Sequence, residues 1–231
     1  ALICIVVGII YIQFVRERSW ISGWLPALVG LAVVIWIGTP KSRPFILMAA
    51  AAMLILLTPQ RLTDVVMVGD NVYSLSTRVE AWAILARMML VNPLFGLGPA
   101  NYYYYTPLFP ILGYAVRFNS HNNYIDIAAQ TGIIGLSCFL WIMFEIFRSI
   151  RRVQSGLDHE QQEVGFVKAY AHACMGGLSG MLSAAMLGDW VVPFVYNVGF
   201  TGFRASLFGW LFLGGIIAVE RLVSGKNSSI R

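Results

Sequence analysis

The stretch YIDIAAQTGIIGLSCFLWIMFEIF, Tyr124 to Phe147, decides how this chain is read. Asp126 and Glu145 are its only charged residues, and as an α-helix it rises about 36 Å, more than a hydrocarbon core about 30 Å thick requires. Arg148, Arg151 and Arg152 close one end, while Ser120-His121-Asn122-Asn123 opens the other. A membrane span with two chemically distinct ends is the expectation.

Similar runs appear on both sides of it. Ala1 to Val15, Trp20 to Gly38, the short Pro44 to Thr58, Phe166 to Gly188 and Arg204 to Val219 are further candidates. The composition agrees, because a chain that is 58% hydrophobic and 12% charged, with a mean hydropathy of +0.71, lies outside the range of ordinary soluble domains. The expected fold is all-α, a polytopic transmembrane helical bundle of about six spans with a long extracytoplasmic loop over residues 59–123 that contains amphipathic helices. Residues 1–231 read as one membrane domain, the C-terminal part of a longer protein, since the chain starts inside an apolar run without an initiating Met, a basic leader or a cleavage site.

The charges set the orientation. Lys41 and Arg43, then Arg148, Arg151 and Arg152, then Arg221, Lys226 and Arg231 fall on alternate connections, as short cytoplasmic loops do. This places Arg16-Glu17-Arg18, the 59–123 loop and the Asp189 to Phe203 loop together on the outer face. The long loop carries Arg61, Arg78, Arg87 and Arg117 and no Lys, which suits planar, bidentate recognition of phosphate. The net charge of +5 is scattered between apolar runs, so nucleic acid is not an expected partner. Cys4, Cys138 and Cys174 lie in apolar segments without ligand spacing, so neither a disulfide nor a metal site is expected. No P-loop, GxSxG, HExxH or paired-carboxylate motif points to a soluble nucleotide donor, and no cofactor is implied.

Within the long loop, Val79, Trp82, Leu85, Met89 and Leu90 recur at helical spacing and predict an interfacial amphipathic helix from Thr77 to Leu90. Ser76 or Thr77 with Glu80 resembles a capping box that would put Arg78 in the first turn; pairing with Glu80 or a lipid headgroup is the plainer role for Arg78. Asn92-Pro93 ends the helix, and Gly96 and Gly98 supply a tight turn. Tyr102 to Tyr105 read as an interfacial aromatic belt, with a groove for sugar or lipid as the alternative. His121 sits where water meets hydrocarbon, beside Arg117 and Asn122, with Arg18, Arg78 and Arg204 on the same face: a base among anion-binding groups. Asp126, five residues along the helix, points partly away from it. His159, in a charged loop, and His172, in a small-residue span, lack that company. Gly132, Gly135, Gly176 and Gly180 supply small faces for helix packing.

The ordered set Ser76-Thr77-Arg78…Trp82, Asn92-Pro93-Leu94-Phe95-Gly96-Leu97-Gly98…Asn101, His121-Asn122-Asn123-Tyr124 and Gln130-Thr131-Gly132-Ile133-Ile134-Gly135 resembles the C-terminal region of the O-antigen ligase and polymerase superfamily. These are bacterial inner-membrane glycosyltransferases. The resemblance implies transfer of a glycan from an undecaprenyl-diphosphate-linked donor to a glycan or lipid acceptor, on the extracytoplasmic face, without metal or cofactor and with inversion. It implies His121 as the catalytic histidine and Arg78 as the arginine that engages the diphosphate. Arg18 matches the arginine that opens an earlier span, although Glu17 stands where the family pattern has Ser, which keeps Arg16 as a competing assignment. Arg117, Arg204, Asn122 and Arg16 complete the expected substrate-binding set, with membrane lipid as a further partner. A lipid-linked glycan flippase or transporter is the alternative reading.

Overall fold

The computed structural model describes residues 21–56, 72–157 and 164–228. Arg16, Arg18, Cys4, His159 and the candidate span from Ala1 to Val15 lie outside them. The described residues are helical and carry no strand beyond an isolated bridge between Ile111 and Tyr114. The main helices are α1 (Ile21–Gly38), α2 (Arg43–Leu56), α3 (Val72–Met89), α4 (Tyr102–Tyr105), α5 (Asn123–Gly156), α6 (Val164–Leu187) and α7 (Val195–Ser228).

Two segments among the described residues are long and apolar enough to cross a membrane, Asn123–Gly156 and Gly202–Val223, and Gly23–Gly38 is a shorter apolar helix. Their large side chains reach both inward and outward. Phe139, Met143, Ile146, Ile150 and Val153 of α5 pack with Ala171, Cys174, Met175 and Leu178 of α6 and Leu213 and Ile216 of α7 to make the main core. Leu140, Trp141, Ile142 and Phe144, on the other face of α5, stay exposed. The predicted small-residue packing holds for Gly176 and Gly180, which meet α1: a methyl group on Gly176 would lie 2.6 Å from the Gly30 carbonyl oxygen, and one on Gly180 2.8 Å from that of Pro26.

Gly132 does something else. The sequence suggested helix packing, but Gly132 breaks α5, with φ 66° and ψ −167°. The Asn92–Gly98 turn is inserted there. The Leu97 and Gly98 amides donate to the Ala129 and Gln130 carbonyls, each at 2.9 Å, and the Ile133 and Ile134 amides donate to the Pro93 and Leu94 carbonyls at 2.9 and 3.3 Å. The turn thus satisfies backbone groups that the broken helix would otherwise leave open. The fit excludes side chains on both strands of the contact, since a methyl on Gly132 would stand 2.2 Å from the Leu94 oxygen and one on Gly96, at φ +71°, 2.5 Å from the Gln130 carbonyl carbon.

The amphipathic helix of the long loop exists, with different ends and a different face from those expected. It starts at Val72, so Ser76, Thr77 and Arg78 lie inside it and form no capping box. It ends at Met89, where the Leu90, Val91 and Asn92 amides bond to carbonyls three residues back and tighten the last turn. Ala81, Ile84, Leu85 and Met88 are its buried residues, whereas Val79 and Leu90 are exposed. Small Ala81 was passed over in the pattern because the eye follows large residues.

Candidate functional site

The second, smaller core positions the site. Ala81, Ile84, Leu85 and Met88 of α3 pack against Tyr102, Ile111, Ala129 and Phe194, joining the long loop to the start of α5 and to the α6–α7 connection. Arg78 stands at the head of that stripe, since residues 78, 81, 82 and 85 follow the i, i+3, i+4, i+7 spacing of one helix face. One turn below it, the Trp82 indole N–H donates to the Ser120 carbonyl at 2.7 Å. Arg78 is half-buried. The helix therefore carries Arg78 on the face docked beside the residue that precedes His121.

His121 itself occupies a left-handed backbone conformation, φ +49°, which is uncommon for a side chain other than glycine, asparagine or aspartate and is typical of functional turns. It is forced there by its neighbours. Asn122 is the N-cap of α5, its side-chain oxygen accepting from the Tyr124 and Ile125 amides at 3.0 and 3.3 Å. Ser120 is buried, and its hydroxyl lies 2.8 Å from both the Asn122 carbonyl and Asp126 Oδ1 while accepting from the Asn122 amide at 3.0 Å. Between these two fixed residues the histidine must turn outward.

Behind it stands Asp189, a residue for which the sequence suggested only a covering loop. His121 Nδ1 is 3.8 Å from Asp189 Oδ1, longer than a hydrogen bond and within reach of a charge contact when the imidazole is protonated. The imidazole side chain is 42% exposed and the carboxylate 2%. Asn119 Nδ2 donates to the other oxygen of Asp189 at 3.2 Å. Asn123 ties down the same connection, its side-chain oxygen accepting from the Val191 amide at 3.0 Å and its Nδ2 donating to the Val192 carbonyl at 2.6 Å. The arrangement leaves Nε2 of His121 as the nitrogen available to a substrate, with a buried carboxylate that favours the imidazolium once a proton has been taken.

Asp126 has a separate task. Its Oδ1 accepts from the Tyr102 phenol and from Ser120, and its Oδ2 is buried without a partner. Tyr102 is wholly buried, a correction to the aromatic belt expected over residues 102–105. Burial, with the Asp126 carboxylate beside it, pushes the Tyr102 phenol well above its ordinary value, so it stays a donor. Tyr104 and Tyr105 are exposed, and Tyr103 stacks on Tyr196 with ring centroids 4.8 Å apart. Arg117 lies over this cluster, 5.1 Å from the Tyr104 ring centroid.

The structure brings Arg78, Asn122 and His121 to one corner and sets Arg117 on the adjoining aromatic surface. Arg204 is exposed on α7 beyond the break at Gly199, and among the described residues no contact joins it to His121. Among the described residues no cluster of three His, Cys, Asp or Glu side chains is arranged to hold a metal ion.

A model of the O-antigen ligase family matches residues 1–140 of the chain. The chain belongs to the O-antigen ligase family. No curated protein and no solved structure matches it. The family is a membrane family of glycosyl-transferring enzymes that act on lipid-linked glycans in polysaccharide biosynthesis. The matched segment contains Arg78, His121 and Asp126 and stops before Asp189. Sequence reasoning had no signal for Asp189 as the partner of His121, because nothing local marks two residues that meet only when α6 returns to the start of α5.

Proposed function

We propose that this ligase-family chain transfers a glycan from an undecaprenyl-diphosphate-linked donor to an acceptor hydroxyl at the outer face of the bacterial inner membrane, within a six-span bundle. The observation that carries the reading is the strained His121 turn, backed by buried Asp189 and bordered by the Arg78 face of α3.

In this reaction His121 Nε2 takes the proton of the acceptor hydroxyl, whose oxygen attacks the anomeric carbon as the bond to the diphosphate breaks. A single displacement inverts that carbon and releases undecaprenyl diphosphate. Arg78 and Arg18 hold the diphosphate and stabilise the charge that grows on it, a task for which the guanidinium fork is suited and which calls for no metal. Arg117, Arg204 and Arg16 extend the cationic surface toward the rest of the substrate. Asn122 serves through the helix cap, by holding the turn that presents His121. The family match gives the flippase alternative no support.

The test is transfer of a labelled glycan from undecaprenyl diphosphate by the full chain in proteoliposomes containing EDTA. Wild type is expected to transfer, while His121→Ala and Arg78→Ala are expected to bind donor and fail, or to bind it poorly, respectively. Normal transfer by both variants would refute the site assignment.

A further inference from the structure

We propose that the turn from Leu90 to Gly96 is a membrane-inserted element whose partner is the acyl chains of the adjacent leaflet, so that the long loop does not lie wholly in the aqueous space. This inference rests on the reading of α5 as a span. Its first support is exposure: Leu90 is 75% exposed, Val91 79%, Leu94 54% and Phe95 66%, four consecutive large apolar positions interrupted only by Asn92 and Pro93. A patch of that kind in water would be an aggregation site.

Depth is the second support. A helix crosses a core of about 30 Å in about twenty residues, which counted back from Arg148 reaches about Ala128. Any tilt lengthens the count and moves that boundary to an earlier residue. The turn is bonded to residues 129, 130, 133 and 134 of α5, on the hydrocarbon side of the boundary. Ile133 and Ile134, its direct neighbours, are themselves exposed apolar residues, so Leu94 and Phe95 continue the lipid-facing surface of the span.

Backbone chemistry is the third. Irregular backbone survives at membrane depth only where its polar groups are satisfied by protein. Here the Gly96 amide donates to the Asn92 carbonyl at 2.8 Å, the Phe95 amide to Asn92 Oδ1 at 3.3 Å, and the Leu97 and Gly98 amides to the broken helix. The α5 amides freed by the break are taken up in return. Arg87, one turn before Leu90, has the reach to keep its guanidinium at the headgroups. The inserted turn then anchors the C-terminal end of α3, the helix that carries Arg78.

The experiment uses the full chain with Cys4, Cys138 and Cys174 replaced by Ala and a single nitroxide label at Phe95→Cys, Ile134→Cys or Tyr114→Cys, in phosphatidylethanolamine–phosphatidylglycerol vesicles. Collision with oxygen and with a water-soluble nickel chelate is measured by power saturation. The Phe95 label is expected to behave as the Ile134 label does, with oxygen collision favoured and chelate collision lost, while the Tyr114 label shows the reverse. Chelate collision at Phe95 matching that at Tyr114 would overturn the proposal. Protection from both reagents would also overturn it, by showing that another segment or a second copy covers the turn. An aqueous label at Ile134 would instead remove the span reading beneath it.

Discussion

The two ends of α5 each carry a polar cluster that ties the helix to a neighbour, and the two are built differently. At the C-terminal end, Glu220 of α7 receives Arg152 on one oxygen and Ser149 on the other, with a further Arg152 contact at 3.4 Å. The pair is open to water, the Arg152 side chain being 49% exposed. At the N-terminal end, Asp126 and Asp189 are almost wholly buried, one carboxylate oxygen of Asp126 has no partner, and His121 is held in a left-handed turn. A solvated and complete cluster can trade its contacts for water at little cost, which makes it a joint. The buried cluster keeps strain and an unmet acceptor because the surrounding packing over-determines it, as at sites selected for chemistry.

Substitutions at both ends sharpen this contrast. The largest effect is expected for His121→Ala, a loss of about a hundredfold or more in transfer, the contribution of a positioned base, with donor binding retained. Asp189→Asn follows, lowering transfer by about ten- to a hundredfold through the lost charged partner of the imidazole. If Asp189→Asn transferred at the wild-type rate, the two clusters would be alike and the outer one merely structural.

A smaller effect, on stability, is expected at Asp126. Asp126→Ala strands the buried Tyr102 and Ser120 hydroxyls and should destabilise by about 1–3 kcal/mol. Asp126→Asn keeps an oxygen that can accept from both donors, so its melting temperature should lie closer to wild type than to the alanine variant. A larger loss for Asn than for Ala would show that the carboxylate charge, rather than the acceptor, is what the site requires. The smallest effect is expected for Glu220→Gln, with transfer unchanged and thermal unfolding barely shifted, because water replaces what the exposed pair loses. A transfer defect there would break the comparison from the other side.

How far the sequence could be read follows the same division. Hydropathy located α1, α5, α6 and α7, because burial in lipid selects long apolar runs irrespective of which helices touch. The family motifs marked His121 and Arg78, and the match over residues 1–140 establishes the family. The start of α3 was misplaced, since Ser76 and Thr77 have the composition of a cap and nothing local reveals that the helix continues behind them. Tyr102 was assigned to a belt because four consecutive tyrosines share one composition, whereas only the fold decides that the first meets Asp126 and the third meets Tyr196.

By itself the sequence determined that the chain is helical and apolar, which family it belongs to, and which basic residues lie near its polar loop. Periodicity, length and motif order are local properties, and local properties survive without a fold. Tertiary structure alone decided that Asp189 stands behind His121, that Gly132 is a break rather than a packing face, and that the Asn92–Gly98 turn fills that break. Each is a contact between segments distant along the chain, set by which backbone groups remain unsatisfied once the helices have packed.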